Sequence, residues 1–217
     1  MQILKFILRY EWLLLIISIF PPVIYSTLFV IYKFEYRVSG YVPTISETGT
    51  EYPNTVIMFF FFCFISGSIF WEMLLQAIYI LNNYKHSQVS KFFLFLLTCT
   101  SSLFFCLISV FPCNVYSELH YLSTFFAFFG IVLYQIIIFS LTHKKTRSFI
   151  NILRLFSIIM QTLSLLDVAC SQILYGLRIN VSLSAYGEYS IVLFLPIFFL
   201  TYYKEMSKSN TYISFNI

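Results

Sequence analysis

Val56-Ile-Met-Phe-Phe-Phe-Phe-Cys-Phe-Ile-Ser-Gly-Ser-Ile-Phe-Trp-Glu-Met-Leu-Leu-Gln-Ala-Ile-Tyr-Ile-Leu81 carries a single charge, Glu72, in an otherwise apolar and weakly polar run. A helix needs about 20 mostly apolar residues to cross a bilayer, and this run exceeds that. The alternative spanning element, a barrel strand, alternates apolar and polar residues over about ten positions. Phe59-Phe-Phe-Phe-Cys-Phe64 is continuous instead. Within lipid a helix satisfies its own backbone hydrogen bonds, which outweighs the strand preference of Phe and Ile. The run therefore predicts a transmembrane helix, and the fold class is all-α.

Five further runs repeat the pattern, giving expected spans at 12–32, 56–81, 92–112, 121–142, 149–177 and 185–203. Residues 1–217 then form a single transmembrane domain of six helices, with a polar loop at 33–55. Composition agrees: 59% of the chain is hydrophobic and 10% charged, against about 25% charge in a soluble domain. The bilayer is the solvent and the first partner. Lys5 and Arg9 precede the first run as in a signal peptide, but no small-x-small cleavage pattern closes it, so it reads as an uncleaved span. Pro21 and Pro22 are expected to kink or break that helix.

An even number of spans puts both termini on one side. With that side cytosolic, ten Lys and Arg lie on it and only Lys33, Arg37 and Arg178 lie opposite. Positive residues collect on the cytosolic side, so the termini are expected there and loop 33–55 in the lumen. Asn180 in Asn180-Val-Ser182, a candidate glycosylation acceptor, then falls on the lumenal side. The net charge of +4 is dispersed over short cytosolic pieces. It signals topology, with contact between His143-Lys-Lys-Thr-Arg147 and anionic lipid headgroups as the alternative, and not nucleic acid.

The five cysteines show no CxxC and no disulfide-ready pair, and four sit inside spans as small apolar fillers. His86, His120 and His143 fall in three different loops. No metal, cofactor or nucleophile motif emerges, and the chain reads as a non-enzyme. Ser66-Gly67-Ser68 reads as a close helix contact. Glu72 and Asp167 lie within spans, where an acid faces the bundle interior and is a candidate functional group. Gln76 shares the face of Glu72.

The loop holds Pro43-Thr-Ile-Ser-Glu-Thr-Gly-Thr50, followed by Pro53 and Asn54. Gly49 is expected to supply a positive φ for a tight turn. Asn54 or Thr50 is expected to cap the second span. Pro43 and Pro53 bracket the segment. The motif (Pro43, Ile45, Ser46, Glu47, Thr48, Gly49, Thr50, Pro53) resembles the first lumenal loop of the damage-regulated autophagy modulator (DRAM) group. That group's usual form reads Pro-Tyr-Ile-Ser-Asp-Thr-Gly-Thr, followed by Pro-Pro-Glu. Glu118-Leu-His120 is similar to the group's Val-His-Asp-Gly segment, with Tyr121 in place of the acid. Glu188-Tyr189, leading to Phe199-Leu-Thr201, resembles its Glu-Trp and Phe-Leu-Thr ending.

The resemblance implies a non-enzymatic, multi-pass modulator of autophagy and lysosomal membranes, with membrane proteins or specific lipids as partners. The wider superfamily implies a second reading, a lipid-handling factor of the secretory pathway acting in GPI-anchor remodelling or phospholipid distribution. A small transporter using Glu72 and Asp167 is a third. Lysosome or late endosome is the favoured location, with Golgi, ER and plasma membrane as alternatives. His120 and Glu188 join Glu72 and Asp167 as candidate functional polar residues.

Overall fold

The computed structural model describes residues 5–36, 43–84, 88–145, 148–176, 183–208 and 212–216. The elements are β1 (Lys5–Arg9), α1 (Tyr10–Tyr36), α2 (Ile45–Thr48), α3 (Asn54–Asn83), α4 (Gln88–Val110), α5 (Ser117–Thr142), a 3-10 turn (His143–Lys145), α6 (Ser148–Gly176), α7 (Leu183–Leu200), α8 (Tyr203–Lys208) and β2 (Tyr212–Asn216). Helices α1 and α3 to α7 include six segments long and apolar enough to cross a membrane. They form a closed ring in chain order, each packing on the next, and α7 returns to α1.

The outside of the ring is apolar: Phe34 is 80% exposed, Phe149 69% and Phe60 67%. Water would not tolerate that surface, whereas lipid chains solvate it. The interior is the more polar side, with Ser101, Thr98, Gln76, Gln135 and Glu72 all fully buried. Lipid gives helices no hydrophobic reason to associate, so small residues and hydrogen bonds join them. Ser66 Oγ donates to the Ser102 carbonyl at 2.5 Å across α3 and α4. Gln135 and Gln161 exchange amide hydrogen bonds at 3.2 and 3.0 Å across α5 and α6. Ser157 Oγ donates to the Phe194 carbonyl at 2.6 Å, tying α6 to α7 beside Pro196.

Several expectations change here. Helix α1 runs through Pro21 and Pro22 without the break that was one of the two expected outcomes; spanning helices tolerate proline because surrounding groups satisfy the freed backbone. Within Ser66-Gly67-Ser68 the helix contact belongs to Ser66, while a Cβ on Gly67 would meet nothing within 4 Å. The close approach lies instead at Gly130 of α5, whose Cβ would collide with the Ser101 hydroxyl of α4. An antiparallel ribbon absent from the sequence reading pairs β1 with β2, from Lys5↔Asn216 to Arg9↔Tyr212, and holds both ends of the chain at one end of the bundle.

At that terminal end Arg154 anchors a buried polar cluster. Its side chain is fully buried. Its Nη2 donates to Glu205 Oε1 at 2.7 Å and to the Thr201 carbonyl at 3.2 Å, and its Nε to Thr201 Oγ1 at 3.0 Å. The guanidinium carbon lies 3.5 Å above the Tyr202 ring centre. Tyr202 in turn shares a hydrogen bond of 3.0 Å with Thr142 of α5.

Candidate functional site at the first-loop end

At the opposite end, the loop motif folds into the single-turn helix α2. Its amino terminus is fully accounted for. Thr44 Oγ1 accepts from Glu47 N at 3.0 Å, and Glu47 Oε2 accepts from Thr44 N at 2.8 Å, a reciprocal capping box. Ser46 N donates to Glu188 Oε2 of α7 at 3.0 Å. One distant carboxylate thus supplies what a short helix most lacks, an acceptor for its leading N–H groups.

Gly49 closes α2 with φ −98°, not the left-handed conformation the sequence suggested. Glycine is needed there for space, since a Cβ would lie 2.7 Å from Met58 Cγ. Asn54 does not cap α3 either, and Pro53 takes that position without a side-chain bond. Buried Asn54 donates instead to the Thr48 carbonyl at 2.7 Å and the Leu28 carbonyl at 3.4 Å, pinning the end of α2 to α1. Thr50 Oγ1 turns back to the Glu47 carbonyl at 2.9 Å. Tyr189 OH donates to the Pro43 carbonyl at 3.3 Å. Ile45 and Thr48 are buried.

Three residues that are 74 and 142 positions apart from one another in pairs through Ser46 converge here. His120, 4% exposed in the first turn of α5, places Nε2 3.0 Å from Ser46 Oγ. Its Nδ1 lies 2.7 Å from the Phe111 carbonyl. Ser46 Oγ also lies 3.2 Å from Glu188 Oε1. The acid that follows the group's histidine is Tyr121 in this chain, and the carboxylate comes from α7 through the serine.

Cys113 was unmarked in the sequence. Its Sγ donates to the Ser46 carbonyl at 3.5 Å. Burial, then the nearby Glu188 and Glu47 carboxylates, push its thiol up to about 12.

Beneath α2 lies a cavity of about 280 Å³. Ser46 and Glu188 line its polar end, and Phe62, Phe128, Leu165 and Ile191 its apolar walls. Leu122 and Phe125 line it too and are also exposed on the outer face, giving a chain lateral access from lipid. A cavity of roughly 150 Å³ holds benzene, or ~25 Å³ per carbon, so this one takes about eleven carbons.

The remaining candidates stand apart. Glu72 is fully buried one turn from Gln76 in α3 and does not line the cavity. Asp167 is partly exposed on α6, against the Gly187 backbone. Asn180 and His86 lie outside the described residues.

The family model for the Frag1/DRAM/Sfk1/Cwh43P N-terminal domain matches residues 9–209. The chain belongs to this family. The match covers all six spans and takes in α2 together with both of its partners, His120 and Glu188. No curated protein and no solved structure matches the chain.

Proposed function

We propose that this chain is a non-enzymatic, multi-pass regulator of endomembranes that acts by binding a membrane amphiphile under α2. One observation carries the reading: a chain-sized apolar cavity, laterally accessible from lipid, ends in buried hydrogen-bonding groups that also hold the loop helix. A ligand there would touch the groups that seat α2, so occupancy and loop position are linked. The loop faces the lumen in this reading and the termini face the cytosol. The lysosome or late endosome is the favoured site of action, in keeping with the loop's likeness to the DRAM group.

Lipid handling in the secretory pathway, including GPI-anchor remodelling, is the second reading, favoured by the cavity's exposed lining residues Leu122 and Phe125. A transport path through Glu72 and Asp167 gains no support from this cavity, which neither acid lines. Native mass spectrometry of the purified protein tests the binding. Wild type should carry a co-purified lipid that Leu165→Trp, filling the cavity, excludes. Equal lipid on both would count against the cavity. Microscopy of tagged protein separates the two settings: confinement to Golgi or ER would defeat the lysosomal one.

A further inference from the structure

A count of hydrogens at Ser46 shows what the cavity wants. The Phe111 carbonyl can only accept, so the hydrogen in its 2.7 Å contact sits on His120 Nδ1. Ser46 Oγ contributes one hydrogen yet meets two groups, His120 Nε2 at 3.0 Å and Glu188 Oε1 at 3.2 Å. Two hydrogen bonds with one hydroxyl hydrogen require one donor more. A proton on Glu188 or Nε2 would supply it; without one, Ser46 bonds His120 alone and a Glu188 oxygen is left to accept from a ligand's donor. Glu188 is 7% exposed and lines the cavity, so a ligand's head can reach it.

Charge chooses among donors. Glu118 and Glu188 line the cavity and Glu47 lies on α2 beside it, while no Lys or Arg appears among the described residues that line it. Lys33, a described basic side chain at this end, lies over the Phe29 ring of its own helix. A fatty-acid anion would meet these acids unfavourably. A neutral alcohol would donate without charge. An ammonium both donates to that Glu188 oxygen and pairs with the carboxylate charge, the stronger kind of bond. The volume accepts about eleven carbons, one chain and not two.

Resting on the proposal that the cavity binds an amphiphile, we infer that its ligand is a single-chain primary amine, about eleven carbons of whose chain the cavity holds. Its ammonium donates to Glu188, releasing the Ser46 hydroxyl to donate to His120 Nε2. Its chain lies among Phe128, Leu165 and Ile191.

The test uses the full chain in phosphatidylcholine vesicles with three photoactivatable probes of equal chain length: a primary amine, an alcohol and a carboxylic acid. The amine should label the α5, α6 and α7 cavity segments about tenfold more than the acid, the ratio set by one charge-assisted hydrogen bond. Glu188→Gln keeps the side chain's shape and should lower amine labelling about tenfold while leaving alcohol labelling within about twofold. Unlabelled dodecylamine should compete on the wild type where dodecanol and dodecanoate do not, which keeps the test sound should the variant misfold. Equal cavity labelling by all three probes overturns the amine and leaves the cavity reading standing. No cavity labelling by any probe overturns both.

Discussion

Gly49 shows how a residue can be marked by sequence for one reason and required for another. Flexibility is the usual argument for glycine in a turn, but φ here is −98° and any residue could adopt it. The constraint is Met58 Cγ, 2.7 Å from where a Cβ would stand. Gly49→Val should therefore destabilise the protein by about 2 kcal/mol through overpacking. Met58→Ala in the same chain should recover part of the loss, as read by thermal melting in detergent; no rescue would contradict the steric account. Cys113 carries the second prediction at this scale. Its thiol is pushed up to about 12, so the thiolate is scarce at pH 8 and grows only well above it. Maleimide labelling of Cys113 at pH 8 should run more than about a hundredfold slower than that of a free cysteine, and quicken as pH rises. Mass spectrometry of the labelled protein would show it, and fast labelling at pH 8 would contradict it. Cys113 was invisible in the sequence because nothing near it signals its contact with Ser46, which comes from 67 residues away.

Among the elements, α2 is too short to hold itself together. Its capping box and the Glu188 carboxylate supply what propensity cannot. Glu47→Ala removes half of the capping box and should cost about 1 kcal/mol. The loss should appear as faster hydrogen exchange at residues 44–50 with the spans unchanged; unaltered exchange there would mean that Glu188 alone suffices. The opposite end depends on Arg154. Leu in its place leaves Glu205 unpaired and empties the space over Tyr202, so Arg154→Leu should cost about 3 kcal/mol or more. Glu205→Gln should cost less, because Thr201 and Tyr202 still hold the guanidinium. A larger loss for Glu205→Gln in parallel melting experiments would reverse that ranking.

At the scale of the molecule, long apolar runs were the readable part. They mark spanning helices because lipid leaves the backbone few alternatives. Helix ends were less legible: α3 begins at Asn54 and α4 at Gln88, polar residues beyond the apolar runs. Ser46, His120 and Glu188 were each singled out, but their convergence was not legible. It depends on how the ring of helices closes, which no local pattern encodes. The partner of Arg154, Glu205, was not legible either, since a charge count gives the side of a residue and not what it pairs with.

Seated on Glu188 and His120, α2 roofs a cavity sized for one lipid-like chain. A high-resolution density map of the protein in lipid nanodiscs tests it most directly. A rod of density is expected between Phe128, Leu165 and Ile191, ending at Glu188, with Ser46 beside Glu188 and His120. A cavity closed by side chains, with α2 lifted away from Glu188, would contradict it.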